Sequence, residues 1–379
     1  MQLELSSDQE FFRETTARFL ADQAPVYDIR DLGSDPQGYR DDYWRRGAEL
    51  GWTSLLVDEA RGGGSISGDG LADLAIIAHE FGAHAAPGPL LPSNIVASAL
   101  NDVGEGRHDD VVAGLLDGSA IASWGHTERR PHDRLGDVVL TVRADGSDVV
   151  LDGVKRPVES ADRAGHLLVT GRTGDGLSQV LVPTDSPGVT VRPLEGVDLT
   201  RRFAEVTFEN VRVPADQVVG ELGGAAEQIE RQLQLALVIA SSESVGAMQV
   251  GFDITLEWLF DRYSFGRPLA SYQAIKHRMA DMAAWMQASH AISDVAVGEV
   301  SARSADAPLR ASAAKAYVGD HGLELLQECI QLHGGIGVTY EHDLHLYLRR
   351  HSVNRTLHGT PAEHRRRITS MVAEREAAA

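Results

Sequence analysis

The chain has almost no cysteine. Cys329 is the only one among 379 residues, so no disulfide can form within the chain and no metal site can be built from paired thiolates. Its apolar helical surroundings predict a buried small side chain. Lysine is nearly as scarce: Lys155, Lys276 and Lys315 are the only three among 35 basic residues. The rest are Arg, whose planar guanidinium grips phosphate in bidentate fashion. Positive charge as a whole is in deficit, with 35 Lys and Arg against 55 Asp and Glu, a formal net charge of −20. Such a surface opposes binding to nucleic acid or anionic membranes. No uninterrupted apolar run reaches the roughly 18 residues of a membrane span. Met1 to Asp8 lack the basic-then-apolar order of a secretion signal. The expectation is a cytoplasmic protein with no nucleic-acid and no membrane partner.

The chain is long enough for a large core divided among two or three sub-domains. Residues 1–118 read as helix. Ser7 to Glu10 have capping-box spacing, and Phe11, Phe12, Thr15, Phe19 and Leu20 recur at helical intervals. Leu71, Leu74, Ala75, Ala78 and Phe81 do so again, and Pro87, Gly88 and Pro89 break the pattern before a helix around 95–100. From 119 to 214 the texture changes to short β-branched runs at 138–142, 149–151, 167–169, 180–182, 203–208 and 211–213, separated by turn pairs such as Asp145-Gly146 and Asp152-Gly153. From 215 to 379 helices return, with long patterns at 225–263, 270–303 and 309–333. Helices, then strands, then helices without βαβ alternation predict an α+β protein: an N-terminal helical domain, a middle β-domain and a C-terminal helical domain. The glycine-rich stretch 62–70 is out of register for a dinucleotide loop and no βαβ unit follows, so a flexible surface loop is expected.

Three spaced pieces near the C-terminus carry the chemistry. The first is Arg262 with Phe265 and Gly266, the second is Gln273, and the third is Gln331 with Gly334 and Gly335 just past a helix. A diphosphate wants a guanidinium and bare backbone N–H donors, and two adjacent glycines let the backbone come close to a ligand. Together these pieces resemble the ADP-gripping elements of the acyl-CoA dehydrogenase family, and the likeness extends along nearly the whole chain. Trp44 to Trp52 and Ala86 to Pro92 also look like family sequence, read here as packing and a rigid turn. The resemblance implies a C-terminal four-helix bundle and FAD held at a subunit interface in a dimer of dimers. It also implies an acyl-CoA substrate and an electron-transfer flavoprotein or equivalent acceptor. Arg262, Phe265, Gln273, Gln331, Gly334 and Gly335 would grip the ADP half of a flavin bound mainly by the neighbouring subunit.

The β-domain departs from the family pattern. Thr127 and Glu128 match a Thr-Glu-Pro loop, but its following Gly-Ser is missing from the segment ending at Asp133. Pro157 stands in place of an aromatic, and Ser160 matches a hydroxyl or amide position loosely. Thr127, Ser160 and Thr360 are the flavin-side candidates. The expected reaction removes the proton alpha to a thioester carbonyl while the β-hydrogen leaves as hydride, which a carboxylate in a dry pocket does well. In one family position for that carboxylate this chain has His358, and in the other Ala236. Glu243 lies two helical turns after Ala236 in a small, apolar run, so Glu243 and His358 are both candidates for the base. Ala236, Ala240 and Glu243 would then line a roomy acyl pocket suited to a bulky group. An intact clamp beside an altered flavin half is also the pattern of one member of a hetero-oligomer with a paralogous subunit. The readings left open are therefore a catalytic subunit, a non-catalytic FAD-clamping partner and an oxidase. The spacing of Glu341, His342 and His345 hints at metal ligands, but no metal site is expected.

Overall fold

The computed structural model describes residues 5–32, 35, 37–104, 106–128, 138–174 and 176–378. Six helices come first: α1 (Ser7–Gln23), α2 (Ile29–Leu32), α3 (Asp41–Glu49), α4 (Gly70–Ala83), α5 (Leu90–Asp102) and α6 (Asp109–Leu116). The capping box of α1 sits one residue earlier than the spacing suggests. Ser6 Oγ accepts from the Gln9 N–H at 3.2 Å and Gln9 Oε1 accepts from the Ser6 N–H at 3.1 Å. In that register Phe12, Thr16 and Leu20 are buried, whereas Phe11 is 69% exposed and leaves the core face it was assigned to. The periodic face of α4 holds as expected, with Leu71, Leu74, Ala78 and Phe81 buried.

The stretch 62–70 is a packed connection and not a free loop. A Cβ on Gly70 would lie 1.7 Å from the Leu55 carbonyl oxygen, and one on Gly63 would lie 2.0 Å from that of Val57. The Asp73 carboxylate accepts the Ile66 and Ser67 N–H groups at 2.7 and 3.0 Å. At Gly63 and Gly70 glycine is present because two backbones touch, and at Gly62, Gly64 and Gly68 because φ is positive.

Eight strands then form one sheet: β1 (Ala122–Gly125), β2 (Thr141–Asp145), β3 (Asp148–Glu159), β4 (His166–Thr173), β5 (Gly176–Pro183), β6 (Val189–Leu194), β7 (Phe203–Pro214) and β8 (Val218–Val219). Their order is β6-β7-β3-β2-β4-β5-β8, with β1 running parallel beside β4. The runs 203–208 and 211–213 are one strand, which pairs with β3 across a register shift near Gly153. Val149, Leu151, Val206, Phe208, Val211 and Val213 fill the sheet's own core.

The C-terminal part comprises α7 (Ala226–Asp261), a small hairpin of β9 (Tyr263–Ser264) and β10 (Arg267–Pro268), then α8 (Gln273–Ser301), α9 (Ala307–His333), α10 (Leu344–Thr356) and α11 (Pro361–Ala378). By length and composition α7 could cross a membrane, but 83% of its most apolar window is buried inside the protein, so it is the central core helix. It packs against α4, α8 and α9. The α4–α7 contact is backbone to backbone: a Cβ on Gly82 would fall 1.8 Å from the Glu243 carbonyl oxygen, and one on Gly246 would fall 1.9 Å from that of His79. This crossing brings Glu243 against the N-terminal helices.

Candidate functional site

The three clamp pieces come together where α7 ends. Arg262 terminates the helix in extended conformation, and its carbonyl accepts the Leu269 N–H at 2.8 Å, closing the β9–β10 hairpin back onto α7. The Tyr272 hydroxyl donates to the Ser264 carbonyl at 2.8 Å, which places Gln273, the first residue of α8, beside the same hairpin. Trp258, one turn before Arg262, stacks on His333 at 5.2 Å and 16°. His333 is the last residue of α9, so this pair joins Arg262 to the glycine turn at Gly334 and Gly335.

The surface around these candidate residues is open. Phe265 is 98% exposed and sits at the hairpin tip with φ +48°, followed by Gly266 at +78°. A bulky residue held in the left-handed region costs roughly 1–3 kcal/mol, a cost associated with ligand clamps. Gly334 has φ +64° and ψ −137°, which L side chains avoid, and nothing lies within 4 Å of a Cβ on Gly334 or Gly335. Arg262, Gln273 and Gln331 are exposed. Among the described residues Arg262 has no carboxylate partner; its guanidinium rests 5.8 Å from the centroid of the Trp258 ring. An unpaired guanidinium, exposed amides (the Gln273 amide nitrogen 3.3 Å from His277 Nε2) and an open glycine turn suit the ADP half of FAD.

On this chain the residues around the expected flavin-side candidates pack against one another. Trp124 of β1 stacks on His126 at 4.9 Å and on His358 at 5.3 Å, and all three are buried. Lys155, fully buried on β3, donates to Glu128 at 2.6 Å and to the His126 carbonyl at 3.1 Å. Burial pulls the Lys155 ammonium down to about 8 against the attraction of Glu128, and burial next to Lys155 pushes His126 down to about 3. Glu128 also accepts the Val139 and Leu140 N–H groups at 2.8 and 3.0 Å. The Arg129 to Asp133 part of the Thr-Glu loop lies outside the described residues. Thr127 is half-buried, and its carbonyl accepts the Arg156 N–H. Ser160 is buried at a left-handed turn, φ +56°, and its N–H donates to the Arg202 carbonyl. Thr360 caps α11, its N–H and hydroxyl both donating to the Glu363 carboxylate at 2.6 and 2.7 Å.

The two candidate bases sit in different surroundings. His358 lies between α10 and α11, and among the described residues neither ring nitrogen has a hydrogen-bond partner. Burial, followed by the charges of Lys315, His126, Arg201 and His364, holds its pKa well below the usual imidazole range, so it accepts a proton poorly. Glu243 faces a buried polar network. Its carboxylate accepts from Arg350 at 2.6 Å, Asn354 at 2.7 Å and Arg201 at 3.4 Å. Arg350 also donates to Asp198 and Thr200 and to the Ala86 carbonyl, while Arg201 grips Glu159 in bidentate fashion. Burial raises the pKa of Glu159 despite Arg201, and the guanidinium of Arg350 overcomes burial to lower that of Asp198. This network joins all three parts of the chain.

The expected acyl pocket is likewise closed. Ala236 and Ala240 are packed into the same core as Leu91 and Trp124, so small side chains on this face signal close packing and not an open cavity. A cleft of about 730 Å³ does exist, but it opens on another face of α7, at Ser242 and Val245 with His79 and His290. His342 and His345 serve locally: His342 Nδ1 accepts the Leu344 N–H, and His345 stacks on Tyr340. Trp124, Lys155, Arg201 and Arg350 escaped sequence reasoning. A signal existed for Lys155, since a chain with three lysines has one of them within a β-strand.

The comparisons agree with this architecture. Residues 6–108, 125–211 and 224–373 match the acyl-CoA dehydrogenase N-terminal, middle and C-terminal domain models. Acyl-CoA dehydrogenase IpdE2 of Mycobacterium tuberculosis is 29% identical over 369 residues, spanning 97% of this chain and 98% of its own. Among solved structures, a variant of the Tcur3481-Tcur3483 steroid ACAD superposes with a TM-score of 0.87 at 27% identity, covering 97% of this chain and 98% of that one. Butyryl-CoA dehydrogenase from Megasphaera elsdenii shares the fold with a TM-score of 0.89 at 20% identity over 98% of this chain and 100% of its own. The chain belongs to the acyl-CoA dehydrogenase family of FAD-dependent oxidoreductases that act on acyl-CoA.

Proposed function

We propose that this chain is the FAD-clamping subunit of a heteromeric acyl-CoA dehydrogenase that turns an acyl-CoA into its 2,3-enoyl thioester. The observation that carries the reading is the contrast between the two half-sites. The ADP clamp is open, with Arg262 unpaired and Phe265 almost wholly exposed. The ring side of the same chain is occupied by the Trp124, His126 and His358 stack. When bound, FAD would supply the hydride acceptor, and this chain's residues would hold its diphosphate: Arg262 would neutralise charge, Gln273 and Gln331 would donate from their amides, and the glycine turn would admit the backbone. Glu243 then has a structural task, tying α7 to α10 and the β-domain. Proton abstraction falls to the paralogous subunit. Electrons leave to an electron-transfer flavoprotein or equivalent acceptor.

A bulky, ring-bearing acyl group is the proposed substrate class, supported by the similarity to a protein described as a steroid ACAD. The test is to express the chain alone and together with each paralogous acyl-CoA dehydrogenase chain of the same genome, then to measure flavin per chain and bleaching by a panel of acyl-CoAs. Little flavin alone, and one bleachable flavin per pair of unlike chains, is the expected result. Full flavin occupancy and turnover by the chain alone would refute the proposal.

A further inference from the structure

Resting on the clamp reading above, we propose that Trp258 and His333 are positioning residues for it. Their stacked rings hold the Arg262 guanidinium where it meets the nucleotide diphosphate.

The geometry runs in a line. The Arg262 guanidinium carbon is 5.8 Å from the Trp258 centroid, Trp258 stacks on His333 at 5.2 Å, and His342 meets the His333 ring edge-on at 4.6 Å. Each inner member is fixed. His333 Nδ1–H donates to the Cys329 carbonyl at 2.8 Å, and His342 Nδ1 accepts the Leu344 N–H at 3.2 Å. Burial lowers the His333 pKa, so the ring stacks as a neutral imidazole and adds no cation beneath Arg262. Beyond the glycine turn, Arg30 of α2 donates to the Tyr340 and Glu341 carbonyls, both at 2.8 Å, and to Asp343 at 2.7 Å, pinning the far end of the same segment.

Three facts favour positioning over packing. An exposed Arg side chain carries about 2 kcal/mol of rotamer entropy, and among the described residues no carboxylate restrains Arg262. Among the described residues the Trp258 face is the side-chain contact that restrains it. Second, Trp258 Nε1 and His333 Nε2 are both buried and have no partner among the described residues. A buried indole N–H without an acceptor is costly, so the ring's placement is poorly explained by its own stability. Third, His333 directly precedes Gly334, so one stack sets the spacing between the guanidinium arm and the glycine arm.

The experiment measures FAD affinity by titrating the cofactor into the deflavinated oligomer in which the chain purifies. The variants are Trp258→Leu, Trp258→Phe, Arg262→Ala and the double variant Trp258→Leu with Arg262→Ala. Loss of one exposed ring–guanidinium contact predicts roughly two- to fivefold weaker FAD binding for Trp258→Leu, with most of the affinity kept in Trp258→Phe. In the Arg262→Ala background, Trp258→Leu should cause no further loss, because its effect passes through Arg262. Equal losses in both backgrounds would overturn the positioning role while leaving the clamp intact. Unchanged affinity in Arg262→Ala would remove the clamp reading itself, and this inference with it.

Discussion

Replacing Glu243 by Gln separates a structural carboxylate from a catalytic one. The substitution keeps shape and removes one negative charge from a buried cluster in which Arg350, Arg201 and Asn354 all donate to it. Removing one partner of a buried ion pair costs roughly 3–5 kcal/mol. The lower end, about 3 kcal/mol, applies here because Arg350 keeps Asp198 and Arg201 keeps Glu159. With an unfolding entropy of ~2.1 cal/mol/K per residue over the whole chain, that loss lowers the melting temperature by about 4 °C. The assay pairs thermal melting of the co-purified assembly with acyl-CoA turnover per folded enzyme. The expected outcome is a lower melting temperature and turnover within about twofold of the unaltered assembly, a difference worth well under 1 kcal/mol in the barrier. A fall in kcat of about a thousandfold with an unchanged melting temperature would refute the reasoning and make Glu243 the base.

Acid should destabilise the protein early. Burial lowers His126 and His364 to about 3 and His351 to about 4, so the unfolded chain takes up protons first as pH falls. Their contribution is complete above about pH 6.5 and is lost below it, each histidine adding up to roughly 1.4 kcal/mol per pH unit until its folded pKa is reached. Melting temperature measured from pH 7.5 to 5 should fall steeply, and His126→Gln should flatten that slope. Phe265→Gly should leave the melting temperature unchanged or slightly higher, since it relieves a left-handed residue that packs on nothing, yet lower flavin retention by the assembly. A marked loss of stability on melting would contradict that. Gly82→Ala should abolish soluble expression or lower the melting temperature strongly, because its Cβ would fall 1.8 Å from the Glu243 carbonyl oxygen. Normal yield and melting would mean that α4 and α7 do not touch there.

The helices were legible wherever apolar residues recurred with helical period, as in α4, and the pieces of the proposed clamp could be marked out because they are short, local and close to helix ends. Phe11 was misplaced since one residue of register decides which face is inner, and Ser6 rather than Ser7 caps the helix. Glu243 was harder. A carboxylate in an apolar run looks poised for chemistry when only its neighbours are known, but its partners Arg350, Asn354 and Arg201 lie 107, 111 and 42 residues away. Pairing among so many charges is a three-dimensional fact that no local pattern carries. The same limit applies to Ala236 and Ala240, because a small side chain marks both a cavity wall and a tight helix contact. The filled ring region was legible in part: His358 and Pro157 departed visibly from the family pattern, while the inward turn of Trp124 and Lys155 did not.

The guanidinium of Arg350 is bonded at once to a carbonyl before α5, to Asp198 and Thr200 between β6 and β7, and to Glu243 in α7. Hinge opening between these units would strand a bare cation in a dry interior, a penalty of several kcal/mol before any other contact is broken. Any motion that admits a ligand to this chain is therefore expected in its loops, with the three parts held together around one cation.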